Sequence, residues 1–434
     1  MMFPDYYDFY LGVRAIVAEN GLEKIPPRMT ELKARKPLII TDPHIEAAGL
    51  VDIVLNAAKN NLTDVDIFKD VPVDSDYRVV DEISALYTSK GCDSIVAIGG
   101  GSVIDTAKGV NITASLGGGS LLSYQGTGAI QKRLNPFIVI PTTTGTGSEA
   151  TLAAVISDPV RKTKMAFVSH FLLPDLAVID PRMTRTLPDF LIGATAMDAM
   201  AHSCEAYYCL EKNPLSDALA LKSIAGISRN LLDAIRDPDN TASRLALADA
   251  SMTAGAAFSN SMCGMVHNIG HILGAVCRVP HGNCMAILLP YGLEYNLNRR
   301  QDAIGELLFP LAGPEVYAKT PKNDRAEKAI EYIRTMNEEI HLATGGKHPR
   351  CLKEIVRNSN EQAVQRSVLP EIAQGIMSDP ARLLNPEEVL PNDALLVLEH
   401  AWDGTPLNRQ RIKNNPGLGA SRKSCYNSEY EQSR

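Results

Sequence analysis

Five short runs of aliphatic and β-branched residues constrain this chain more than any other feature: Pro37 to Thr41, Val65 to Phe68, Ser94 to Ile98, Phe137 to Pro141 and Leu176 to Ile179. They are apolar in near-continuous stretches rather than alternating, the pattern of strands buried on both faces of a parallel sheet. Between the first three lie Ile45 to Asn60 and Tyr77 to Lys90, whose apolar spacing and length suit helices. The expectation is a doubly wound, Rossmann-like α/β unit over residues 1–187. After Thr186, placed to cap a helix opened by Leu187, Pro188 and Asp189, long alanine- and methionine-rich helical periods take over. An all-helical unit is therefore predicted over 188–404, with residues 405–434 a polar extension outside both cores.

Composition narrows the partners. The 434 residues exceed what one core usually supports, so two packed units are reasonable. A net charge of -7 argues against a surface built to neutralise nucleic-acid phosphates or anionic lipid. A small-molecule partner fits better. None of the eight cysteines is spaced as CxxC, and no stretch nears the roughly 18 apolar residues of a membrane span. With no basic leader ahead of an apolar core, a reducing, cytoplasmic address is expected, with no membrane contact.

Two loops follow predicted strands. SIVAI runs into Gly99, Gly100, Gly101 and Ser102 and then the helical VIDTAKGVN. Bare glycine backbone lets N–H groups approach a pyrophosphate, and the next helix offers its positive end to the same charge. Alone, such a run also serves as a tight bend, and it is not GxGxxG. The second loop, Thr142, Thr143, Thr144, Gly145, Thr146, Gly147 and Ser148, ends the strand FIVIP, where ligands of α/β sheets bind. Its plainer reading is a solvated hydroxyl loop. Asp42 closes PLIIT and can accept from an adenosine ribose, favouring NAD over NADP; followed by Pro43, it is also a good helix N-cap.

In the helical half, Asp198 and His202 are four apart, as are His267 and His271, and His281 follows in RVPHGN. One spacing of four puts both side chains on one helix face. A lone histidine among small apolar residues is usually a hydrogen-bonded core residue. Several imidazoles with a carboxylate need partners together, and one divalent cation satisfies them. Mixed imidazole and carboxylate donors suit Fe(II), Zn(II), Mn(II), Co(II) or Ni(II) and do not choose among them. His271 is a candidate to relay a hydroxyl proton, or alternatively to orient a ligand.

The motifs GGGSVIDTAK, PTTTGTGSE, MDAMAH and GMVHNIGHILG, followed by VPHGNCMAILLP, resemble in order those of the iron-containing (group III) alcohol dehydrogenases. The resemblance covers about residues 10 to 300 and more thinly the helices to Gly404. It implies a nucleotide-binding α/β domain, an all-helical metal domain and a cleft between them, in homodimers or larger assemblies. By position it makes Asp198, His202, His267 and His281 the metal ligands and His271 a nearby catalytic, non-ligating histidine. It assigns Gly100, Gly101 and Ser102 to the pyrophosphate, Thr142, Thr143, Thr151 and Lys164 to other cofactor contacts, and Asp42 to NAD preference. Ala153 and Phe258 fall at substrate-pocket positions, and Ala196 and Ile272 stand where relatives often carry Gly and Pro.

The function expected is metal-dependent hydride transfer between NAD(H) and a short primary alcohol or diol and its aldehyde, with iron the metal implied. A lyase of the dehydroquinate-synthase kind is the competing enzyme class, but its anionic substrate calls for a basic pocket and residues 198–281 are poor in lysine and arginine. A non-catalytic nucleotide- or metal-binding protein is the third reading.

Overall fold

The computed structural model describes residue 4 and residues 6–58, 65–161, 163–357 and 361–407. The expected C-terminal extension lies, from residue 408 on, outside the described residues. In chain order the strands are β1 (Arg14–Val17), β2 (Pro37–Ile40), β3 (Asp66–Phe68), β4 (Ser94–Gly99), β5 (Gly126–Thr127), β6 (Phe137–Pro141), β7 (Ala153–Asp158), β8 (Thr163–Val168) and β9 (Leu176–Ile179). Six of them form one parallel sheet in the order β1-β9-β6-β4-β2-β3. Four of the five runs read as strands occupy its centre: β2, β4, β6 and β9 are buried at every position. The fifth, Val65 to Phe68, becomes the edge strand β3, which is only partly buried because it pairs on one side alone. The edge strand β1 is largely exposed and escapes a search for apolar runs. So does the antiparallel pair β7 and β8, which with β5 makes a separate three-stranded sheet.

Helices α1 (Ile25–Leu32), α2 (Pro43–Ala47), α3 (Leu50–Ala58), α4 (Tyr77–Lys90) and α5 (Gly101–Ser115) accompany the sheet. The single helix expected from Ile45 to Asn60 is two helices within the described residues, because Gly49 takes a φ of +72° and breaks the run. Residues 59–64, including Asn60, lie outside them. The sheet's two faces carry separate cores, one around Leu38, Ile95, Val110 and Phe137, the other around Ile39, Val54, Ile98 and Ile138.

Past β9 come α6 (Asp189–Tyr208), α7 (Pro214–Arg236), α8 (Thr241–Ser259), α9 (Met265–Cys277), α10 (His281–Glu306), α11 (Leu308–Ala312), α12 (Pro314–Lys319), α13 (Arg325–Ala343), α14 (Leu369–Gly375) and α15 (Pro391–Asp403). The cap expected at Thr186 is absent. Pro188 is the N-cap, its backbone extended, because a proline there excludes helical geometry from Leu187 before it. Helix α6 is buried almost all round, as a helix with no polar face must be, and packs on α7, α8 and α10. Among the described residues no helix is long and apolar enough to cross a membrane.

Candidate metal centre and nucleotide cleft

The carboxyl ends of β2, β4 and β6 lie side by side, with Gly99 paired to Pro141, so the glycine and threonine loops leave the same edge together. They pack closely. A Cβ on Gly101 would come within 2.7 Å of Thr146 Cγ2, and one on Gly100 within 3.0 Å of Thr143 Cγ2. Gly100 is the N-cap of α5, which puts the helix's first N–H groups at the loop. The buried hydroxyl of Thr142 has no hydrogen-bond partner. Ser102 Oγ accepts from the Asp74 backbone at 3.3 Å, and Lys164 pairs with the Asp74 carboxylate at 3.0 Å. Thr151 is turned inward: its hydroxyl accepts from Lys108 at 2.9 Å. Asp42 caps α2, Oδ1 accepting from His44 and Ile45 N–H groups at 2.8 and 3.0 Å.

Sequence reasoning passed over a buried charge network beneath these loops. Lys108 donates to Ser148 Oγ, to Thr151 at both its oxygens and to the Ala153 carbonyl, tying α5 to the threonine loop and β7. Asp105 accepts from Ser148 Oγ at 2.6 Å. Burial pushes Lys108 down to about 8 against the pull of Asp105 and Glu149, and pushes Glu149 up to about 7. Charged residues inside an apolar helix were the available signal.

The threonine loop abuts the helical half directly. Thr144 and Thr195 hydroxyls are 3.2 Å apart, and a Cβ on Gly145 would lie 2.9 Å from the Thr195 carbonyl. Three residues along α6 stands Asp198, and around its Oδ1 are His281 Nε2 at 3.3 Å, His267 Nε2 at 3.8 Å and His202 Nδ1 at 3.8 Å. Asp198 Oδ1, His202 Nδ1 and His267 Nε2 are all buried and make no hydrogen bond. Three orphaned polar atoms facing one another are costly in an apolar interior. Donors about 2.0–2.2 Å from a tetrahedral divalent ion sit roughly 3.4 Å apart, close to these separations. The donor set therefore fits a single dication. Burial would raise the Asp198 carboxyl, but His202 and His281 beside it hold it well below the usual range; burial drives His202 down to about 3.

Two supporting acids were not foreseen. Glu205, one turn beyond His202 and fully buried, hydrogen-bonds His267 Nδ1 and also accepts from the Val266 N–H at 2.8 Å. That bond leaves Nε2 as the atom aimed at Asp198. Asp379 holds His271 Nδ1 at 2.7 Å, and the His271 ring stacks beside His281 with centroids 5.4 Å apart. Phe258 lies flat on His202 at 4.0 Å between centroids. The residues next to Ala153 and Phe258 are joined to each other: the Leu152 N–H donates to Ser259 Oγ at 2.7 Å.

Residues 13–181 match the family model "iron-containing alcohol dehydrogenase", and residues 192–402 match the C-terminal model of the Fe-containing alcohol dehydrogenase family. The chain belongs to the iron-containing alcohol dehydrogenase family. It is an oxidoreductase of that family. It is 33% identical to the 1,3-propanediol dehydrogenase of Klebsiella pneumoniae over 399 residues, covering 91% of this chain and 99% of that protein. It is 29% identical to the NAD-dependent methanol dehydrogenase of Bacillus methanolicus over 394 residues, again 91% and 99%. Among solved structures, a 1,3-propanediol oxidoreductase superposes with a TM-score of 0.85 at 30% identity, covering 91% of this chain and all of the other.

Proposed function

We propose that this dehydrogenase interconverts a short primary alcohol or diol and its aldehyde, using NAD(H) and one dication, iron in the first instance, held by Asp198, His202, His267 and His281. The observation that carries the reading is the set of orphaned donors around Asp198 Oδ1, one helical turn from the point where the threonine loop meets α6. A bound dication supplies Lewis acidity for a substrate oxygen, and the nicotinamide carries the hydride.

The chain's own residues do the rest. Gly100, Gly101 and Ser102 present backbone N–H groups at the start of α5 to the pyrophosphate, with Thr142, Thr143 and Lys164 along the same rim. Thr151 serves from below by fixing Lys108. Asp42 uses Oδ1 for its cap, and in this reading its second oxygen takes a ribose hydroxyl and repels a 2′-phosphate, favouring NAD. His271, fixed at Nδ1 by Asp379, offers Nε2 to take or return the substrate's hydroxyl proton. Ala153 leaves room in the pocket that Phe258 walls.

In this reading residues 1–187 hold the nucleotide and 188–404 the metal. The assembly is a homodimer or larger, in the cytoplasm; all seven cysteines among the described residues are free thiols, as a reducing compartment requires. Anaerobic purification followed by metal analysis and NADH or NADPH oxidation with a graded series of aldehydes tests the proposal. One dication per chain, NADH preference and loss of both metal and turnover in His267→Ala are expected; full activity in that variant would overturn the ligand assignment.

A further inference from the structure

Cys263 brings a donor of different chemistry to the same cluster. Its Sγ and one ring nitrogen each of His202 and His267 lie within 4.8 Å of one another, while Asp198, His267 and His281 form a second group meeting the same limit. His267 belongs to both. One group offers an oxygen and two nitrogens, the other two nitrogens and a sulfur. His202 and His267 are 5% and 3% exposed, and the atoms His202 Nδ1 and His267 Nε2 have no hydrogen-bond partner.

The backbone fixes this placement. Cys263 precedes the N-cap Gly264 of α9 and stands four residues before His267. Met262, with a φ of +64°, turns the chain out of α8, a conformation that costs a residue bearing a Cβ and that the packing around it must sustain. Gly264 is hemmed in as well: a Cβ there would lie 2.7 Å from Asn385 Oδ1 and 3.2 Å from Glu205 Oε1. The thiol is thus held beside the imidazoles by constraints on either side of it.

We infer that His202, Cys263 and His267 form a second cation position, overlapping the first and selective for thiophilic dications such as Zn(II), Cd(II) or Co(II). A hard ion settles towards Asp198 and His281. A soft one settles towards Cys263, whose Sγ binds as thiolate, its proton passing to solvent. The identity of the metal then decides which donors hold it. This rests on the cluster being a cation site at all, and the test separates the two claims.

The full-length protein, stripped of metal, is titrated anaerobically with Co(II) and followed by near-ultraviolet absorption and by equilibrium dialysis, beside Cys263→Ser. The expected result is a thiolate-to-cobalt charge-transfer band that grows to one equivalent in the parent and is lost in Cys263→Ser, which still binds cobalt. Zinc should also compete with iron several-fold less well in the variant. Stoichiometric cobalt without that band, or a band that persists in Cys263→Ser, would overturn the sulfur position while leaving the first. No cobalt bound by the parent would overturn both. Circular dichroism of Cys263→Ser, and of Cys263→Ala as a second variant, verifies that loss of the band is not loss of fold.

Discussion

Glu205 and His267, on neighbouring helices and both buried, are joined carboxylate to imidazole Nδ1, while His267 Nε2 is left facing Asp198. The carboxylate selects the tautomer and fixes the ring plane, so a ligand nitrogen arrives already oriented. Glu205→Gln keeps the shape but can accept only through its amide oxygen. Metal affinity is expected to fall roughly 10- to 100-fold, read by competition with a graded chelator. Unchanged retention would show that the acid is merely structural.

His348, next to α6, is a buried neutral imidazole. Its Nε2 meets Asn337 Oδ1 at 3.1 Å and its Nδ1 has no partner. Burial, with His341 nearby, pushes it down to about 4 from an ordinary 6.5. The unfolded chain therefore takes up this proton first as pH falls through 6.5, and folding loses stability from there down to about pH 4. Between pH 7 and pH 5 the loss from this one group is about 2 kcal/mol. Urea unfolding at both pH values should show the parent losing about that much more than His348→Asn. Equal losses would mean that the ring titrates normally.

What the sequence made legible follows from how locally each feature is written. The central strands β2, β4, β6 and β9 are apolar throughout and announce themselves, whereas β1 and β8 expose half or more of their side chains, β7 alternates buried with less buried positions, and none carries such a run. Asp198 and His202 share a helix face by spacing alone. Glu205 extends that stripe by one more turn and was within reach of the same argument. Asp379 was not: 108 residues separate it from His271, and only folding brings them together. Lys108 was visible as a charge in an apolar helix, but its four oxygen partners between Ser148 and Ala153 were not.

Gly255 of α8 touches Gly147 of the threonine loop backbone to backbone. A Cβ on Gly255 would lie 2.3 Å from the Gly147 carbonyl oxygen, and no side-chain rotation can relieve that contact. Gly255→Ala must push the loop away from α8, and overpacking of this kind costs about 1–3 kcal/mol. The urea midpoint should drop and NADH should bind more weakly by fluorescence titration, with metal content unchanged. Normal NADH affinity in a destabilised variant would detach this contact from the nucleotide cleft.

Asp379 gives His271 both direction and charge, and the two effects are separable. The carboxylate raises the imidazole's pKa, opposing the downward push of burial. Removing its charge in Asp379→Asn takes away that support, so the His271 pKa falls and the acid limb of the kcat/KM profile moves to lower pH. The asparagine can still accept from Nδ1–H through its amide oxygen, so orientation is weakened rather than abolished. Asp379→Ala loses both, and kcat is expected to fall roughly 10²-fold with metal content intact. A variant pair with the parent's pH profile and the parent's kcat would remove His271 from the proton path, because nothing else in the described structure holds its Nδ1.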